Sequence, residues 1–207
     1  MTRRARLTTS VLISAAASCL FVATASQVEA GPIGPDAAVL QYFESARTPA
    51  LTRVMLAVTW LGNSGPTIGL TLLVAAWLFF RGRTIDAWFV VIANVGSAVL
   101  SVSVKGAFAR PRPPMDLVTQ VTAQGGFSFP SGHALNVMVL YTSLAMVVGE
   151  FGSVDARREA IALAGMLIAV MGVSRIYLGV HYPSDVLGGW SLGAAWIWTL
   201  WGLRNAR

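Results

Sequence analysis

The sequence predicts an all-α protein, a polytopic membrane helix bundle of about six transmembrane helices. Three observations predict it. Of the 207 residues, 55% are hydrophobic and only 12% are charged, and the mean hydropathy is +0.65. The apolar residues gather in stretches near the ~20 residues that a helix needs to cross a hydrocarbon core. The 15 Lys and Arg residues lie in small groups between those stretches, never along one stripe. The formal charge of +6 is therefore read as a topology signal, and nucleic acid is excluded as a partner.

Six segments follow in order, at residues 8–26, 55–80, 86–104, 134–149, 160–178 and 186–203. The first follows a basic start, MTRRAR, and precedes Val28-Glu29-Ala30, a small-residue cleavage pattern. It reads as a retained anchor or as a removed signal peptide, which would leave five helices. Residues 1–30 are thus set apart as signal or anchor, and 31–207 as the membrane domain. The second segment is interrupted at Asn63-Ser64-Gly65-Pro66, which predicts a tilt or kink there. On the last segment Gly189 and Gly193 form a GxxxG pair, read as intramolecular packing. The seven Trp residues are read as interfacial or lipid-facing anchors. A single Cys19 excludes an intramolecular disulfide and a Cys-based metal cluster. Oligomeric state is not legible.

Orientation follows from the cations. Arg3, Arg4, Arg6, Arg81, Arg83, Arg157, Arg158, Arg204 and Arg207 fall on one side. Arg47, Arg53, Lys105, Arg110, Arg112 and Arg175 fall on the other. The positive-inside rule makes the first set cytoplasmic, so the connections 105–133 and 176–185 face out.

Three polar clusters sit at the outer helix ends. In KGAFARPRP, Lys105 continues the face of Ala93, Ser97 and Ser101, whose small side chains allow close packing and turn Lys105 into the bundle. Arg112 follows, with Pro111, Pro113 and Pro114 stiffening the exit. Alone, this cluster reads equally as snorkelling cations. In FPSGHA, Ser131 occupies an N-cap position, with Gly132 and His133 in the first turn of the fourth helix. A helix start offers unpaired N–H groups to an anion, although capping alone would account for the motif. In SRIYLGVHYPSD, Ser174 and Arg175 end one helix, while His181 and Asp185, four apart, flank the Pro183-Ser184 start of the next. An aspartate on one imidazole nitrogen fixes the tautomer and frees the other nitrogen to attack; a capping aspartate beside an interfacial histidine is the plainer reading.

Magnitude favours one shared site. Lys105, Arg112 and Arg175 at bilayer depth would cost about 2.5–3.5 kcal/mol each, roughly 9 together. A shared phosphate answers that cost with charge and acceptor oxygens. Both histidines of the chain lie in the same clusters.

Together these residues spell K-x6-RP, PSGH and SR-x5-H-x3-D. The pattern resembles the type 2 phosphatidic acid phosphatase (PAP2) superfamily, the lipid phosphate phosphatases, over roughly residues 35–205. The resemblance implies that Lys105, Arg112, Arg175, Ser131 and the Gly132 amide bind phosphate. It implies that His181 is the nucleophile, forming a phosphohistidine, with Asp185 orienting it and His133 as general acid and base. Neither cofactor nor metal is implied, since three fixed cations stand where magnesium stands elsewhere. The implied substrate is a phosphorylated lipid held in the bilayer: a polyprenyl pyrophosphate such as undecaprenyl diphosphate, phosphatidylglycerophosphate, phosphatidic acid, diacylglycerol pyrophosphate or a lipid A phosphate. The implied location is a bacterial inner membrane with the site facing the periplasm. A phosphotransferase of the same superfamily and a non-catalytic lipid-binding or transport protein are the competing readings. A soluble vanadium haloperoxidase is opposed by the hydropathy.

Overall fold

The computed structural model describes residues 2–28 and 31–206, and the described residues form eight α-helices. They are α1 (Arg3–Ala25), α2 (Asp36–Ser45), α3 (Pro49–Leu61), α4 (Ser64–Phe80), α5 (Thr84–Phe108), α6 (Gly132–Phe151), α7 (Val154–Tyr177) and α8 (Pro183–Ala206). Glu29 and Ala30, which complete the cleavage pattern, lie outside the described residues, as does Arg207 of the basic set.

All six expected segments are helical. Helices α1, α5, α6 and α7 are long and apolar enough to cross a membrane, and α3 with α4 makes a fifth such span, bent by 49°. The bend falls where Asn63-Ser64-Gly65-Pro66 interrupts the apolar run, because Pro66 lacks the N–H an unbroken helix would need. At 24 residues α8 is equally long, but its glycines and tryptophans lower its apolarity. It packs against α1, α5 and α6. The fold is thus the all-α membrane bundle that the sequence predicts.

Before the second segment the chain also forms α2, whose ten residues are too few to cross and which buries Asp36 and Leu40. One expectation needs correction: the tryptophans are not all interfacial or lipid-facing. Trp60, Trp77 and Trp88 face outward, as anchors do, whereas those of α8 pack between helices. Trp196 Nε1 donates to the Ala93 carbonyl at 2.9 Å, and Trp201 is buried in the core.

Close packing positions the site end. The GxxxG pair lies against α6: a Cβ on Gly189 would come within 2.6 Å of the Ser131 carbonyl, and one on Gly193 within 3.0 Å of the Leu135 carbonyl. On α5 the small face is buried, as Ala93, Ser97 and Ser101 predict. At the opposite, basic end, Arg6 meets Glu150 at 2.6 Å, Arg83 meets Asp86 at 2.6 Å, and Arg204 reaches both carboxylates. Those pairs tie α1, α5, α6 and α8 together.

Candidate active site

The site is built where α5 ends, α6 and α8 begin, and α7 turns out of the bundle. α5 stops at Ala109, whose left-handed backbone (φ 46°) turns the chain before Arg110-Pro111. One turn earlier, Lys105 Nζ donates to the Phe127 carbonyl at 2.6 Å, and its Cε would lie 3.8 Å from a Cβ on Gly132 at the start of α6. Arg112 Nη1 donates to the Val180 carbonyl at 2.8 Å and contacts His181 Nε2 at 3.2 Å. Its Nε and Nη2 hold the Gly125 carbonyl.

Ser131 is the N-cap residue of α6, yet its side chain makes no capping bond, and its buried Oγ has no partner among the described residues. Its N–H donates to the Asp185 carbonyl at 2.9 Å, which ties the start of α6 to α8. Gly132 is needed for closeness, since a Cβ there would come within 2.9 Å of Ser101 Oγ on α5. His133 Nε2 lies 3.0 Å from Asn63 Oδ1.

Arg175, 1% exposed, donates from Nη1 to Thr59 Oγ1 at 2.5 Å. Its buried Nε and Nη2 have no acceptor among the described residues. Burying unpaired guanidinium hydrogens costs free energy unless something accepts them, and a phosphate does so with charge as well. After α7 the chain turns at Gly179, whose φ of +73° is one that L side chains rarely adopt. That turn delivers Val180 to Arg112 and His181 to the site.

His181 is 2% exposed and Asp185 fully buried. Nδ1 of the ring lies 3.3 Å from Asp185 Oδ2. Arginine only donates, so the Nε2 facing Arg112 is the lone-pair nitrogen and Nδ1 carries the hydrogen. Burial lowers the His181 pKa well below the usual histidine value, and the positive charges of Arg175, Arg112 and Lys105 push it further down. The ring is thus a neutral imidazole whose lone pair faces the Arg112 guanidinium.

The aspartate is itself held. Asp185 Oδ2 accepts from the Tyr182 N–H at 2.9 Å, and Oδ1 from Arg110 Nη1 at 2.6 Å. Arg110 Nη2 reaches Asp36 on α2 at 3.1 Å, and its guanidinium lies over the Tyr182 ring. Asp36 also accepts from the Ser184 N–H at 2.9 Å, capping α8 from another helix.

All eight residues singled out from the sequence, Lys105, Arg112, Ser131, Gly132, His133, Arg175, His181 and Asp185, thus lie at this one end of the bundle. Four others there escaped sequence reasoning. Arg110 and Asp36 support Asp185; Thr59 and Asn63 support Arg175 and His133. The hint was the Asn63-Ser64-Gly65-Pro66 interruption, which signals a bend but not a partner. Among the described residues, no cluster of three or more His, Cys, Asp or Glu could hold a metal ion.

Three cations gathered around a histidine–aspartate pair, at one end of a membrane-spanning helical bundle, suit a phosphorylated ligand at the membrane. Residues 86–207 match the PAP2 superfamily, and the chain belongs to that superfamily. It is 32% identical over 160 residues to the phosphatidylglycerophosphatase B of Bacillus subtilis, covering 76% of this chain and 77% of the relative. It is 36% identical over 107 residues to a decaprenylphosphoryl-5-phosphoribose phosphatase of Mycobacterium tuberculosis, covering 50% of this chain and 54% of that one. The crystal structure of a transmembrane PAP2 type phosphatidylglycerolphosphate phosphatase from Bacillus subtilis superposes with a TM-score of 0.86 at 27% identity, covering 92% of this chain and 95% of that one. The chain is an integral membrane enzyme that hydrolyses phosphate esters of lipids.

Proposed function

We propose that this enzyme removes a terminal phosphate from a lipid headgroup through a phosphohistidine on His181. Lys105, Arg112 and Arg175 neutralise the phosphoryl oxygens, with Ser131 Oγ and the Gly132 N–H adding hydrogen bonds. The His181 Nε2 lone pair forms the P–N bond as the P–O bond to the lipid alcohol breaks, and protonated His133 gives its proton to the departing oxygen. Neutral His133 then takes a proton from water, whose oxygen attacks phosphorus. The P–N electron pair returns to Nε2, and inorganic phosphate leaves. Positioning and charge stabilisation supply most of the acceleration in such transfers, and the acid–base help is worth about 10²–10⁴.

One observation carries this reading: His181 presents a lone-pair nitrogen beside Arg112, with Asp185 behind its other nitrogen. The substrate class follows from depth. A phosphorylated headgroup enters at the helix mouth while its apolar tail stays in lipid. Phosphatidylglycerophosphate, phosphatidic acid and a polyprenyl pyrophosphate all fit that description, because the clamp reads phosphate and not the tail. The basic end of the bundle supports a cytoplasmic assignment for that end, and so a periplasmic one for the site. The hydroxyl of Ser14 on α1 bonds to the Ala195 carbonyl and Thr199 of α8, which supports α1 as a retained anchor beside the domain over 31–207.

The test is His181→Ala in purified enzyme, assayed in EDTA over a panel of those lipids. Phosphate release and acid-labile labelling of the protein are both expected to vanish. Full turnover in the variant would overturn the nucleophile assignment.

A further inference from the structure

The break between α3 and α4 lies outside the stretch that matches the superfamily, residues 86–207, so no family motif assigns it a role. It packs directly on His133: a Cβ on Gly62 would come within 2.8 Å of the ring Cδ2. Asn63 stands at the N-cap of α4, where an asparagine ordinarily accepts from a backbone N–H two or three residues on. Here its side chain makes no such bond. Oδ1 turns instead to His133 Nε2, 3.0 Å away. One turn earlier, on the same broken span, Thr59 meets Arg175.

We infer that Asn63 is the positioning residue of His133, the counterpart of Asp185 for His181. An amide oxygen only accepts, so the hydrogen sits on Nε2 and the exchanging nitrogen is Nδ1. Nδ1–H protonates the departing alcohol oxygen, and neutral Nδ1 then takes the proton of the attacking water. The inference rests on the proposed acid–base role of His133 and adds to it the nitrogen used and the residue that selects it.

The difference between the two partners has a chemical sense. A carboxylate behind His181 stabilises the positive charge that develops as Nε2 bonds phosphorus. A carboxylate behind His133 would hold the proton that the ring must give away. A neutral amide fixes the tautomer without that hold. The charged and titratable groups around His133 are Arg175 on α7, Lys105 on α5, and Arg112 and His181 in the loops. No acidic group is among those neighbours, so Asn63 is the acceptor that steadies the protonated ring.

Leaving groups separate this role from a merely structural one. Octanol needs a proton to leave octyl phosphate; p-nitrophenolate leaves p-nitrophenyl phosphate without one. The full chain in detergent is mixed with each, and the first turnover is read as octanol or nitrophenol released. Asn63→Leu, which keeps the shape and removes the acceptor, is expected to slow octanol release about 100-fold and nitrophenol release less than about threefold. Asn63→Asp restores an acceptor and is expected to recover octanol release to within about tenfold of the parent, with the alkaline limb of its pH profile moved upward. Equal losses on both substrates, no loss on octyl phosphate, or an Asn63→Asp variant no better than Asn63→Leu would each overturn the inference. His133→Ala tells the two levels apart. If it shows the leaving-group contrast and Asn63→Leu does not, only the role of Asn63 falls. If His133→Ala shows no contrast, the acid–base assignment and the inference built on it fall together.

Discussion

The two ends of the bundle use the same residue type in opposite ways. At the basic end Arg6, Arg83 and Arg204 each meet a carboxylate, Glu150 or Asp86, and the pairs bind four helices to one another. At the site end Arg112 and Arg175 bond only to carbonyls, a hydroxyl and an imidazole, and Lys105 only to carbonyls. A cation matched to a carboxylate has its charge answered inside the protein. A cation met by neutral acceptors keeps a charge for a ligand to answer. Lys105, Arg112 and Arg175 thus keep a positive potential that Arg6, Arg83 and Arg204 lose to their carboxylates, and a phosphate is a ligand that fits it.

Arg110, like Arg47 beside Glu44, lies at the site end and is paired as the arginines of the other end are, and its burial sharpens the contrast. It is 1% exposed and bridges Asp36 and Asp185. Removing it would leave two buried carboxylates without their cation. Arg110→Met is therefore expected to cost about 3–5 kcal/mol of stability, the largest stability effect at either end, read as thermal or denaturant unfolding in detergent. Adding Asp36→Asn, which removes one of the stranded charges, should restore part of that loss. A single variant as stable as the parent would show that Arg110 is not the counter-ion of the pair.

The unpaired cations should behave the other way round. Arg175→Gln removes donors aimed at the phosphoryl group and is expected to lower turnover about 10²–10³-fold. The matching change at the other end, Arg6→Gln, loses a partly exposed ion pair worth about 0–1 kcal/mol and should leave turnover within about twofold. Measuring both variants for turnover and unfolding gives the contrast directly. Similar losses of activity from the two would erase the distinction between the ends.

This distinction was only half legible in the sequence. Lys105, Arg112, His133, Arg175, His181 and Asp185 stand in short motifs with fixed spacing, and their chemical types are rare in so apolar a chain. Spacing of that kind survives without knowledge of the fold. The GxxxG pair was legible for the same reason, since four-residue periodicity is local. The partners of the site residues were not. Asn63 reads as part of a bend, Thr59 as one polar residue in an apolar helix, and Asp36 as a loop acid. Each acquires its role from a contact across the bundle that no local pattern encodes. Arg110 was counted with the topology signals because it sits two residues from Arg112, and only its burial against two carboxylates separates the pair. The α8 tryptophans were misread because an indole suits a lipid interface and a helix crossing equally well.

The smallest effect expected from the contrast is a shift in pH dependence. The proposed attack needs a neutral His181, and its pKa is lowered by burial first and then by Arg175, Arg112 and Lys105. A lowered value keeps the ring neutral as pH falls, so the acid limb of kcat/KM should lie well below the ordinary histidine value of about 6.5. Arg112→Gln takes away one of the charges that depress it. The acid limb should then move upward, on top of the loss of turnover. The phosphate of the substrate titrates in the same region, but it does so identically in both enzymes and cancels in their difference. A limb that stays in place, or moves to lower pH, would mean that the charge of Arg112 does not act on the nucleophile. The potential stored at the site end would then serve phosphate binding alone.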